Sequence, residues 1–213
     1  MGGALSAAAW RIAGGYALLA ALSVALALAL REGVPWIYAA PWLDLSPGAA
    51  LATSAGLGLV LSAALVLLTR LCVRRFHWAR RLHVELRPVA RDLTAPQIAA
   101  IATLSSLGEE LLFRGLLLPW TGVLPGAVLF GLAHYLPGRS RWVWVAWASV
   151  VGAALGAVFA LTGSLVGPLV AHAIVNAINL AYLRSHDPNA ATGAGAERER
   201  ARRPGATGRT QTS

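Results

Sequence analysis

Residues 49–68 read AALATSAGLGLVLSAALVLL. Nothing in that run ionises, and its length matches the roughly 20 apolar residues an α-helix needs to cross a bilayer. Outward from it, 12–30 and 142–161 have the same character, and 165–183 shares it apart from His172, Asn176 and Asn179. Two further segments complete the set of candidate spans. Residues 95–118 contain Glu109, Glu110 and Arg114, and 123–136 is short, so a scan for hydropathy alone passes over both. The fold class that follows is all-α: a polytopic membrane protein, a bundle of about six transmembrane helices around an intramembrane cavity. Composition agrees, since 57% of the 213 residues are hydrophobic and 13% are charged, against about 25% charged in a typical soluble domain. The mean hydropathy is +0.61. Ala25 and Ala27 give 12–30 some likeness to a secretory signal, but the run outlasts a signal's apolar core of about 7–15 residues and reads as an uncleaved anchor.

All 18 basic residues are arginine, against nine acidic ones, for a formal net charge of +9. Such a balance suits nucleic acid or anionic lipid as a partner, yet the arginines stand beside apolar runs and form no folded basic domain, so no nucleic acid is expected. Arg70, Arg74, Arg75, Arg80, Arg81, Arg87 and Arg91 lie between the second and third runs. Arg139 and Arg141 lie between the fourth and fifth, Arg184 begins the tail, and the alternate loops contain only Arg31. Arginine accumulates on cytoplasmic loops, which puts both termini in the cytoplasm, as an even number of spans requires. Trp10, Trp78, Trp120 and Trp142 fall at span ends, where interfacial tryptophans collect. Residues 71–94 are too polar to span and are expected along the cytoplasmic surface, as a solvated loop or as a contact for anionic lipid. From Ser185 the composition turns to Gly, Ala, Arg, Thr and Pro, too poor in large apolar residues to fold. The chain thus divides into 1–94 (two helices and a basic segment), 95–184 (a core of four helices) and a disordered cytoplasmic tail, 185–213. A single cysteine, Cys72, excludes an intramolecular disulfide and a cysteine metal cluster.

Ionisable groups within hydrocarbon are costly and usually line a functional cavity. Counting at about 1.5 Å per residue from the outer ends near Pro119, Val123 and Leu165 puts Glu109 about 15 Å deep, His134 about 16 Å and His172 about 10 Å. Three helices therefore present polar groups at a similar level, somewhat toward the outer side. Glu110 and Arg114 are four apart and share a face, as do Phe130 and His134, and His172 and Asn176. The first pair is placed for an intrahelical ion pair, whereas Glu109 has no partner on its own face. Taken singly, each histidine also reads as a hydrogen-bonded core residue and Asn176 as interhelical glue. Ala148, Gly152, Gly156 and Ala160 recur every four positions; they allow close helix packing or, alternatively, a homodimer contact.

A glutamate and a histidine at one level can share general-base work on a water, Glu109 taking the proton while a histidine positions the molecule. His172 and Asn176 supply two donors for a developing oxyanion. Ser105 and Ser106 are near but lack a glycine-flanked nucleophile elbow. Glu109, His134 and His172 are equally a donor set for zinc with an open fourth position. The compact H-E-x-x-H arrangement is absent, so that site would be assembled across three helices. Sequence leaves the two chemistries open.

The run Glu109-Glu110-Leu111-Leu112-Phe113-Arg114 resembles the E-E-x-x-x-R motif of the CPBP intramembrane protease family, which includes the CAAX prenyl endopeptidases. Phe130 to His134 resembles its F-x-x-x-H motif, and His172 to Asn176 its H-x-x-x-N motif. The resemblance covers about 95–183 and implies a glutamate-dependent intramembrane endopeptidase with no cofactor, acting on membrane-anchored proteins within a bacterial inner membrane. It implies Glu109 as base, His134 as the partner that activates water, and His172 with Asn176 as the oxyanion site. Glu110, Arg114 and Phe130 would support substrate or helix geometry. The short, arginine-only build is similar to myxosortase-type members, which remove carboxy-terminal sorting anchors of exported proteins. The competing readings are a non-catalytic interaction or bacteriocin-immunity protein of the same fold, and a small transporter or proton relay.

Overall fold

A computed structural model describes residues 2–188, and its regular elements are all helices. The apolar runs lie within α1 (Gly2–Leu30), α2 (Pro47–Arg75), α7 (Arg141–Thr162) and α8 (Val166–Ser185). These four are long and apolar enough to cross a bilayer, and large side chains such as Leu18, Leu22, Val60 and Leu67 stand exposed on them, as lipid-facing surface does. Between α2 and α7 come α3 (His77–Ala90), α4 (Ala95–Glu110), a π-helical stretch (Leu111–Leu117), α5 (Leu118–Thr121) and α6 (Val123–Ala133). Thr94 and Gln97 start α4 with a reciprocal cap. Gly122 (φ 76°) makes the reversal into α6 in a conformation other residues avoid.

Helix α4 is the pivot, packed against α1 on one side and α8 on the other, while α2 packs along α8 and α6 along α7. Ala20, Leu111, Leu118, Phe159 and Leu165 form one core cluster, and Leu65, Val151, Leu155, Ala171 and Val175 another. Gly58 and Gly167 touch backbone to backbone, and the Ser54 hydroxyl joins the two helices, accepting from Gly167 N–H (2.9 Å) and donating to Ser164 O (2.8 Å).

The two ends of the bundle differ. At one, residues 31–46 fold over the α7–α8 turn through hydrogen bonds from Tyr38 to Gly163 and from Trp42 to Ala160. At the other lie α3, the start of α7 and the end of α8. There Glu85 of α3 accepts from the Ser140 N–H (3.0 Å), and His83 bonds His186 O (3.0 Å). The α3 end is also the arginine-rich end.

Some expectations need correction. Residues 71–94 are not a solvated loop: 71–75 continue α2, and α3 turns Ala79, Leu82, His83 and Ala90 inward. Helix α6 has only 11 residues, about 16 Å, half a bilayer core, and the irregular residues 135–140 complete the passage to α7. The depth count also takes Val123 as an outer end. Val123 packs at the level of Gly156, well inside the end of α7, so it does not mark the outer surface. Ser185, the first residue of the expected tail, is helical and Asp187 pairs with Arg87 at 3.4 Å; the remainder, 189–213, lies outside the described residues.

Candidate active site

The π-helical stretch begins one residue after Glu110, and its i→i+5 hydrogen bonding runs on to the Leu118 N–H, which donates to Phe113 O. Wider turns of this kind re-aim side chains within a helix and concentrate at functional sites. Here the adjacent glutamates face different partners.

Glu110 is wholly buried and faces the protein interior. Its Oε1 accepts from Arg114 Nη1 (2.8 Å) and from His172 Nδ1 (2.7 Å). Arg114, 2% exposed, sends Nη2 to the carbonyl of Gly152 (2.8 Å) and lays its guanidinium over the Phe130 ring, 4.5 Å from the centroid. A side chain on Gly152 would press on that same ring. The small-residue stripe of α7 is thus used within the chain, with Gly152 on Phe130 and Gly156 against Leu118 and Val123.

Glu109 faces the cavity. Its Oε2 lies 3.5 Å from His134 Nε2 and 3.8 Å from His172 Nε2 and has no hydrogen-bond partner in the protein. Both spacings exceed a good hydrogen bond. His134 caps the end of α6, and its Nδ1 bonds Phe130 O at 2.8 Å. A carbonyl only accepts, so that nitrogen carries a proton and Nε2 of the neutral ring offers a lone pair toward Glu109. Phe130 is the hub, its ring against His134 (4.4 Å between centroids), Phe113 (5.1 Å) and His172 (5.8 Å). Asn176 gives one N–H to Ser105 Oγ (3.1 Å).

All seven residues singled out from sequence are therefore brought to one place. Sequence reasoning missed Tyr16, which lines the cavity with Glu109 from α1; the one signal was a tyrosine in an otherwise apolar run. It also missed the Gly152 carbonyl, which no side-chain pattern announces.

A cavity of about 340 Å³ joins these groups to the α3 end of the bundle. Ser105, Glu109, His134, His172 and Asn176 line its polar part, and Trp78, Leu82 and Leu86 of α3 line its apolar part. Gly152, which accepts from Arg114, lies about 16 Å from the start of α7 and about 15 Å from its end. The site is at mid-bundle. Among the described residues no three His, Cys, Asp or Glu side chains are grouped to hold a metal ion.

Residues 91–178 match the family model of the type II CAAX prenyl endopeptidase Rce1-like proteins. Over that segment the chain resembles the Rce1-like members of the CPBP family. Every motif residue of the site falls within the matched segment, from Glu109 to Asn176. The chain is also similar to YpbD of Bacillus subtilis, an uncharacterized protein, with 31% identity over 89 residues. That stretch is 42% of this chain and 47% of YpbD, so the chain spans about half the length of its curated relative. No solved structure matches it.

Proposed function

We propose that this chain is an intramembrane endopeptidase, hydrolysing peptide bonds of membrane-anchored proteins with a water activated by Glu109 and His134. The observation that carries the reading is the unpartnered Glu109 Oε2, 3.5 Å and 3.8 Å from two imidazole nitrogens on the wall of an intramembrane cavity. Groups at such a spacing are bridged by one water. Glu109 takes a proton from that water as its oxygen attacks the carbonyl carbon, while His134 Nε2 accepts its other hydrogen and fixes its orientation. The oxyanion is held by the second N–H of Asn176, the first being engaged by Ser105. His172, expected at the oxyanion site, spends Nδ1–H on Glu110, so its Nε2 faces Glu109 as a further acceptor for the water and the oxyanion donor is Asn176. Glu109 then passes its proton to the leaving nitrogen as the C–N bond breaks. Glu110, Arg114 and Phe130 hold His172 and His134 in place.

Arginine concentrated at the α3 end favours a cytoplasmic position for that end and for both termini, in a bacterial inner membrane. The substrate class we favour is the carboxy-terminal sorting anchor of exported proteins, an apolar segment suited to the cavity's α3 wall. The decisive experiment compares the surface-anchored proteome of cells carrying the parent chain with that of cells carrying Glu109→Gln. Proteins retaining a carboxy-terminal anchor accumulate with Glu109→Gln. If that set is unchanged while the variant is stably made, the chain is an interaction or immunity protein instead. Cleavage by the purified chain is expected to survive 1,10-phenanthroline; loss restored by zinc would assign Glu109, His134 and His172 to a metal.

A further inference from the structure

Beyond the motif residues, the cavity is lined by Asn179, one position outside the segment that matches the family model. It continues the face of α8 that carries His172 and Asn176, at the i, i+4, i+7 spacing of one helical stripe. Its Oδ1 is shielded from solvent and has no hydrogen-bond partner. An amide oxygen left so in a membrane helix costs stability and has nothing to offer helix packing here.

We infer that Asn179 is a substrate-positioning residue, its carboxamide oxygen accepting a backbone N–H of a peptide lying extended along α8. This rests on the peptidase reading above. Asn179 lies seven residues beyond His172, about 10 Å along the helix axis. An extended peptide rises about 3.3 Å per residue, so the N–H that Asn179 meets belongs to a residue about three positions from the scissile bond, on the side that faces α3. Ile101 and Ser105 line the same cavity from α4. A backbone contact of this kind selects for an unfolded, extended segment whatever its side chains.

The test uses an internally quenched peptide spanning an anchor sequence that accumulates with Glu109→Gln, and a series in which single amides are replaced by esters. An ester keeps the chain's shape and removes one N–H. With the full-amide peptide, Asn179→Leu lowers kcat/KM about tenfold, mostly through KM, as loss of one buried hydrogen bond does. One ester, about three residues from the scissile bond, costs the parent chain a similar factor and the Asn179→Leu chain nothing further. If no ester position separates the two chains, Asn179 does not bind the backbone and the inference is wrong. Kd values of the same ester series on the Glu109→Gln chain report the contact without turnover. A series that shows the contact in binding, with no peptide cut by the parent, overturns the peptidase reading and leaves Asn179 as a peptide-binding residue.

Discussion

Replacing Arg114 by methionine keeps most of the apolar stem and removes the charge, so it isolates what the buried ion pair contributes. The side chains of Arg114 and Glu110 are 2% and 0% exposed, and neither water nor salt screens them. Arg114→Met strips Glu110 of its cation and leaves the Gly152 carbonyl without its donor. Breaking a buried pair from one side costs about 3–5 kcal/mol, chiefly because the remaining charge is uncompensated. In a chain of this size each kcal/mol moves the midpoint by about 2–4 °C, so unfolding in detergent should come about 6–20 °C earlier. Tryptophan fluorescence, from the chain's eight tryptophans, follows it. Glu110→Gln alone costs a comparable amount by stranding the guanidinium. The double replacement buries no charge and costs less than the sum of the singles by about 2 kcal/mol. Arg114→Lys retains the charge but cannot reach Glu110 and Gly152 with one planar fork, and its midpoint falls between. Strict additivity, or a midpoint for Arg114→Met within a degree of the parent, would falsify the account of this pair.

Burial holds the His83 imidazole below the usual histidine range, with His186, Arg70 and Arg87 as the charged or titratable groups facing it. The unfolded chain therefore binds the proton first. The contribution of His83 is complete above the ordinary value of about 6.5 and declines as pH falls from there through the lowered folded value. Amide exchange in α3 should accelerate over that window, and His83→Asn should abolish the change; equal responses in both chains would remove His83 from the explanation. At the site itself, Glu109→Gln takes a buried charge away from two imidazole nitrogens and supplies an N–H toward them. It should raise the unfolding midpoint by about 2–4 °C, the worth of one hydrogen bond, while cleavage is lost. A lowered midpoint would mean that Glu109 is held as a structural ion pair.

The long spans were legible because a charge-free run of membrane length has few other uses. The two that hydropathy misses were legible only through their polar residues. Glu110 and Arg114 pair as their spacing suggests, because an i,i+4 geometry is local and needs no knowledge of the rest of the fold. What sequence could not supply was the relative level of the helices. Counting inward from Val123 assumes that α6 starts at the membrane surface, whereas that end packs beside Gly156 of α7. Helix α3 carried a readable signal in Ala79, Leu82, His83, Leu86 and Ala90, an inward face at helical spacing that its arginines obscure. Tyr16 and the Gly152 carbonyl acquire meaning only once α1 and α7 are placed beside α4.

The two neighbouring glutamates bear on the choice between enzyme and scaffold. Glu110 has its charge met: its Oε1 pairs with Arg114 and orients His172, the arginine is closed off by a backbone carbonyl and an aromatic face, and only Oε2 has no hydrogen-bond partner. A helix bundle that only needed packing could stop there. Glu109 has no cation of its own, and its Oε2 faces two rings whose other nitrogens are already committed to Phe130 O and Glu110. Three acceptors turned toward one point make a poor interface for packing, since any apolar residue there would fold more favourably. They make a good setting for a molecule that brings its own hydrogens and can give one up. A buried carboxylate without a cation, beside one whose charge is met by Arg114, is the pattern expected where a fold has been fitted to chemistry.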